Sequence, residues 1–144
     1  MEIFEIKPNL FQGTKIDHAI EIIEHKIDTI IDLEGGIDNL YSFSFNSYLY
    51  WHILDAPWLP NIENLWNISR YAFNCWKQEM RVLVHCSMGK NRSGLVNGCI
   101  LWLDGMIGAE AVKLIQEKRP GALFNPIFKN YLENLSERRC NNDA

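Results

Sequence analysis

Cys86 and Arg92 stand six residues apart in the run HCSMGKNRSG (85–94), with Gly89 between them and the apolar run RVLV directly before. A loop that leaves a buried strand and enters a helix aims several backbone N–H groups at one point. The helix start adds partial positive charge there, so such a loop is an anion site. Gly89 lets the chain curl where a side chain would obstruct it. Arg92 can grip two phosphate oxygens in a bidentate fork. The field that holds phosphate also stabilises a thiolate, lowering a thiol from its free value of about 8.5. Cys86, at the base of the loop, is thereby a candidate in-line nucleophile toward phosphorus. Arg92 and the loop amides would hold the equatorial oxygens through the transition state.

Other readings of the stretch explain less. A nucleotide-binding Gly-Lys loop needs a glycine five residues before Gly89, and Val84 stands there. A cysteine-protease reading requires a histidine base and leaves Gly89 and Arg92 unused. A merely buried cysteine accounts for none of Gly89, Arg92 and Ser93.

The rest of the chain bounds what the loop can serve. Its 144 residues suit a single domain with one good-sized core. The composition, 47% hydrophobic and 22% charged, excludes collagen, coiled coil and low-complexity disorder. With a net charge of −4, electrostatics gives no general reason to expect a nucleic-acid or membrane partner. A phosphate site must be a local positive pocket in an acidic body. The start MEIFEIKPNL has no signal-peptide pattern, and GLVNGCILWL is too short to span a bilayer. The end NNDA carries no prenylation signal, and the Asn-x-Ser matches at Asn67, Asn91 and Asn134 matter only in a secreted protein. A cytoplasmic location is expected by elimination. Four cysteines without a Cys-x-x-Cys pair or a His/Cys cluster make neither a disulfide framework nor a zinc site. Cys75 and Cys99 read as small buried hydrophobes and Cys140 as an exposed residue of a polar tail.

To position the loop, the chain alternates strands and helices. EIFEI and LFQG predict a strand pair around Pro8-Asn9, and IDTIIDL (27–33) and YLYWHIL (48–54) two further strands. Thr14 and Asp17 form a capping pair for a helix over 15–25. Asn61 caps a long helix with Ile62, Leu65, Ile68, Ala72, Phe73 and Trp76 on one face. RVLVH (81–85) is a strand suited to the centre of a sheet. Residues 93–104, apolar almost all round, predict a buried helix stopped by Gly105. Helices near 109–118 and 126–137 follow, the last with Asn125 as cap and Pro126 at its first position. The expected fold is α/β: one domain with a central mixed, mostly parallel sheet and helices on both faces. Ligands in such sheets bind beyond the carboxyl ends of the strands, where the quoted loop falls.

HCSMGKNRSG resembles the signature of the protein tyrosine phosphatases, His-Cys-(five residues)-Arg-Ser/Thr, and most of all the dual-specificity branch. The resemblance extends over nearly the whole chain. IKPNLFQG is similar to that family's opening strand pair, IDTIIDLEG to its second-strand segment and YLYWHILDAP to the strand leading to its general-acid loop. AVKLIQEKRPGALFNPIFKNYLENL is similar to its C-terminal helices. It implies a catalytic domain over 1–144, with Cys86 as nucleophile, Arg92 as phosphate ligand and Ser93 as the hydroxyl that stabilises the departing thiolate. It implies substrate contact by the backbone of Ser87, Met88, Gly89, Lys90 and Asn91, and loop orientation by His85.

The family's general acid is an Asp roughly thirty residues before the Cys. Asp55 stands 31 residues before Cys86, at a strand end and next to Ala56-Pro57; otherwise it is only a turn residue. Asp32 falls inside a strand, and Asp38 is the reserve acid. The implied function is hydrolysis of phosphotyrosine and phosphoserine/threonine in proteins through a phosphocysteine, by a monomer needing no metal and no cofactor. Lys90 also fits family members acting on phosphoinositides, and Asn91 before Arg92 fits RNA 5′-phosphatases. A phosphate-binding module without turnover is the remaining alternative. Trp58 could line the rim of a shallow cleft.

Overall fold

The computed structural model describes residues 1–36 and 45–137. Among the described residues short runs form five strands: β1 (Ile3–Lys7), β2 (Leu10–Gly13), β3 (Thr29–Asp32), β4 (Ser47–Tyr50) and β5 (Val82–His85). They make one sheet in the order β1-β2-β5-β3-β4, antiparallel between β1 and β2 and parallel elsewhere. The RVLVH strand is thus the middle one, and His85 pairs with Gly13 of β2 on one side and Asp32 of β3 on the other. Because side chains alternate along a strand, β5 feeds two cores. Val82 and Val84 join the larger one; Leu83 joins Phe11, Ile22, Ile27 and Ile30 on the opposite face.

The described residues also form five helices: α1 (Ile20–Glu24), α2 (Ile62–Lys77), α3 (Arg92–Leu103), α4 (Gly108–Lys118) and α5 (Pro126–Glu133). Helix α3 is buried along nearly its whole length and lies among α2, α4, α5 and the sheet, as a helix without a polar face must. The short α1 covers the other face through Ile22. Helices therefore flank both faces, unequally. Asn61 and Asn125 cap α2 and α5 as expected, Asn61 accepting from the Asn64 N–H at 2.8 Å.

Several expectations on extent differ, the strand over 27–33 among them, which spans only Thr29–Asp32. The helix over 15–25 is reduced to α1, because the Thr14 hydroxyl accepts from the Glu2 N–H at 2.8 Å and makes no cap. The Lys15 N–H is taken by the Ser87 carbonyl at 2.9 Å, so this segment is tied to the HCSMGKNRSG loop and leaves the helical path. Strand β4 stops at Tyr50, after which the Trp51 and Ile53 N–H groups still reach β3 and the residue after it, Leu33. Helix α5 ends at Glu133, short of residue 137. On α2 the buried residues are Leu65, Ser69, Ala72 and Cys75, while Ile62 at the first turn is exposed. Asp38 and Cys140 lie outside the described residues.

Candidate active site

The loop 86–91 leaves the carboxyl end of β5 and enters α3. Among the described residues, none of the backbone N–H groups of Ser87, Met88, Gly89, Lys90 and Asn91 donates to a backbone carbonyl. The loop's carbonyls are committed: Ser87 to Lys15 N–H at 2.9 Å, Lys90 to Leu123 N–H at 3.1 Å, Met88 to the Arg119 guanidinium at 2.9 Å and Gly89 to Gln12 Nε2 at 3.0 Å. Oxygens bound outward and N–H groups left unspent make a cradle for an anion. Gly89 has φ +65, and a Cβ on it would lie 2.8 Å from the carbonyl carbon of Gly13. The loop closes only because no side chain stands there.

Cys86 is 2% exposed, and its Sγ lies 3.3 Å from Ser93 Oγ in the first turn of α3. Its N–H donates to the Gly13 carbonyl at 3.2 Å, fixing the turn out of the sheet. Arg92 gives one guanidinium N–H to the Ile53 carbonyl at 3.2 Å; its Nε is buried with no hydrogen-bond partner among the described residues. A buried donor with no acceptor is costly unless something else meets it.

Asp55 lies on the exposed segment after β4, yet it is attached to the loop. Asn91 Nδ2 donates to Asp55 Oδ2 at 2.9 Å, and Asn125 Nδ2 donates to Asp55 Oδ1 at 2.9 Å and to the Ala56 carbonyl at 2.9 Å. The structure thus gathers Cys86, Arg92, Ser93 and the loop residues with Asp55 at the carboxyl edge of the sheet. His85 is fully buried, with Nε2 3.4 Å from Oδ1 of the equally buried Asp32. That carboxylate also accepts from the Glu34 N–H at 2.9 Å and from the Tyr48 hydroxyl. Behind the loop, Gln12 Oε1 accepts from Asn97 Nδ2 at 3.1 Å, a buried polar pair that braces Gly89 from below.

Sequence reasoning missed four of these supports: Gln12, Asp32, Asn97 and the cross-loop use of Asn125. Gln12 and Asp32 are polar side chains inside apolar strands, and Asn97 is one in an all-round apolar helix. Buried polar groups need partners, and that was the available signal. Lys90 is half-buried, its ammonium 5.9 Å from the centroid of the Phe124 ring. Trp58 is 59% exposed beside the Asp55 segment. Cys75 and Cys99 are buried, as read, and burial pushes the Cys99 thiol far up from its ordinary 9.0. Among the described residues no cluster of three or more His, Cys, Asp or Glu could hold a metal ion, and no helix is long and apolar enough to cross a membrane.

No protein-family model matches the chain. Among curated proteins it is 28% identical over 123 residues to a probable rhodanese domain-containing dual specificity protein phosphatase of Dictyostelium discoideum, covering 81% of this chain and 25% of that protein. It is 29% identical over 133 residues to Protein phosphatase Slingshot homolog 3 of Homo sapiens, covering 89% and 20%. To Protein-tyrosine-phosphatase IBR5 of Arabidopsis thaliana it is 27% identical over 137 residues, covering 92% and 51%. The chain spans between a fifth and a half of the length of these relatives. Among solved structures, human DUSP28 superposes with a TM-score of 0.79 at 18% identity, covering 90% of this chain and 94% of that one. DUSP15 does so with 0.78 at 23% identity, covering 91% and 85%.

The chain shares its α/β fold with these two structures. Its likeness in sequence is to proteins named as dual-specificity and tyrosine phosphatases, and this bears out the resemblance carried by HCSMGKNRSG.

Proposed function

We propose that this chain is a phosphatase domain that hydrolyses phosphomonoesters through a phosphocysteine on Cys86, acting on phosphotyrosine and on phosphoserine or phosphothreonine in proteins. The observation that carries the reading is the tie between Asp55 and the Cys86–Arg92 loop, made across 36 residues of chain by the 2.9 Å bond to Asn91. A nucleophile, a phosphate ligand and a proton donor are needed together, and that bond joins the elements that bear them.

In the first step the Cys86 thiolate attacks phosphorus; the S–P bond forms as the P–O ester bond breaks. Asp55 gives its proton to the departing oxygen, which matters because a phenol has a pKa of about 10 and an alcohol a far higher one. The N–H groups of residues 87–91 and the Arg92 guanidinium hold the three non-bridging oxygens throughout. In the second step Asp55, now a carboxylate, takes a proton from water as the water oxygen attacks and the S–P bond breaks. The Ser93 hydroxyl, 3.3 Å from Sγ, donates to the thiolate that leaves. His85, held by Asp32, orients the start of the loop. In this reading the domain works as a cytoplasmic monomer without metal.

The test is turnover of p-nitrophenyl phosphate by wild type and Cys86→Ser with excess chelator present. A panel of phosphopeptides, phosphoinositides and 5′-triphosphate RNA is assayed on the same preparation. The reading expects chelator-resistant turnover lost in Cys86→Ser, with phosphopeptides the best of the panel. Activity abolished by chelator and restored by a divalent cation overturns the mechanism. A preference for lipid or RNA phosphates overturns the substrate class alone.

A further inference from the structure

Resting on that reading, we infer that Asn91 and Asn125 are positioning residues for the acid: their side-chain amides hold the Asp55 carboxylate against the loop that carries Cys86. Each Asp55 oxygen has its own amide donor at 2.9 Å, from Asn91 on one side and Asn125 on the other. The two asparagines are locked to each other, since the Asn125 N–H donates to Asn91 Oδ1 at 2.9 Å. Both are buried, at 2% and 7% exposure, while Asp55 is exposed. The rigid partners of the carboxylate are therefore the amides.

Their roles at their own helices sharpen the argument. Asn91 occupies the N-cap position of α3 yet makes no capping bond there. An asparagine in that place ordinarily satisfies its own helix; here it leaves the first N–H groups of α3 free to face an anion and spends its amide on Asp55. Asn125 divides its work. Its Oδ1 caps α5 through the Ile127 and Phe128 N–H groups at 3.0 and 3.3 Å, and its two amide hydrogens go to Asp55 and Ala56.

Among the described residues no other hydrogen bond reaches the Asp55 carboxylate, and its segment is anchored on either side only through Ile53 and Ala56. Leu54, Asp55, Pro57 and Trp58 are all exposed, and β4 has ended at Tyr50. A carboxylate has about four lone-pair sites, so two amide bonds leave room for the proton that Asp55 passes to the ester oxygen and regains from water. The amides transfer no proton; they set where that proton stands. A misplacement of about 1 Å in such a group can cost on the order of a hundredfold in rate.

The experiment compares Asn125→Ser, which retains a short cap acceptor but withdraws the donor, and Asn91→Ala, each in wild-type and Asp55→Asn backgrounds. kcat and KM are measured for aryl phosphates whose leaving groups run from tyrosine-like phenols to strongly activated ones. Each single variant is expected to lose on the order of tenfold in kcat for the poor leaving groups, with KM little changed and a much smaller loss for the activated ones. In the Asp55→Asn background neither substitution should lower kcat further, because no acid remains to be positioned. A loss that is uniform across leaving groups, or that recurs at the same factor in the Asp55→Asn background, overturns the positioning role. The two variants act on different elements, so a folding failure in one leaves the other decisive. If Asp55→Asn alone loses rate uniformly across leaving groups, the acid assignment fails first and the positioning role falls with it.

Discussion

In the proposed reaction Cys86 makes and breaks the bond to phosphorus, and Arg92 binds the phosphate. The sulfur stands beside Ser93 at the start of a loop whose N–H groups are unspent, whereas Arg92 offers charge and a buried Nε. Serine at 86 preserves the cradle and replaces a good nucleophile by a poor one. Cys86→Ser should therefore abolish turnover while inorganic phosphate still binds within a few-fold of wild type. Arg92→Ala should damage both, since a charge-assisted bidentate contact contributes roughly 1.5–3 kcal/mol per hydrogen bond. Isothermal calorimetry with phosphate, alongside turnover, separates the two. Substantial turnover by Cys86→Ser, or undiminished phosphate affinity in Arg92→Ala, contradicts this division.

The loop and its neighbours set the next scale. Gly89 adopts φ +65 with the Gly13 carbonyl carbon 2.8 Å and its oxygen 2.9 Å from where a Cβ would be. Left-handed backbone costs an alanine about 1–2 kcal/mol, and here the contact is with backbone that cannot rotate away. Gly89→Ala is expected to lower the unfolding midpoint by several degrees and to weaken phosphate binding, both visible in thermal unfolding with and without phosphate. Unchanged stability would mean the loop has another way to close. The need for a glycine was legible from HCSMGKNRSG, because it follows from local curvature. Thr14 was misread for the opposite reason: its hydroxyl is claimed by Glu2, twelve residues away, so a local capping pattern lost to a long-range partner. The same holds for Asn91 and Asn125, whose neighbours in sequence suggest a backbone donor and a cap. Their bonds to Asp55 cross 36 and 70 residues, and no spacing rule reaches that far.

At the scale of the whole molecule, α3 is the shared support, and its burial was legible because its apolar residues leave no polar face. Cys99 lies in its middle, fully buried. Burial raises that thiol from its ordinary 9.0, so the folded chain retains a proton that the unfolded chain releases. The sign follows: the contribution is fully present below pH 9.0 and is lost as pH rises above it. One such proton sets a slope of at most about 1.4 kcal/mol per pH unit. Urea unfolding of wild type and Cys99→Ala on the alkaline side should show a flatter decline in the variant, whatever its lower baseline from the cavity. Parallel declines would show that Cys99 titrates alike in both states. Elsewhere, the Trp66 indole N–H donates to the Tyr131 hydroxyl at 2.8 Å and stacks edge-on with Trp102 at 5.2 Å, joining α2, α3 and α5. That closure was not legible, since aromatic residues on three separate helices reveal their partners only once the helices are packed.

Trapping the phosphoenzyme tests the central claim most directly. Wild type and Asp55→Asn are quenched in acid during turnover of an aryl phosphate, digested after Arg81 and Lys90, and the peptide VLVHCSMGK is examined by mass spectrometry. A phosphocysteine mechanism predicts one phosphoryl group on Cys86, with more of it in Asp55→Asn because the variant lacks the base for its hydrolysis. Turnover with no phosphoryl group on Cys86, or with the group on another residue, contradicts the account.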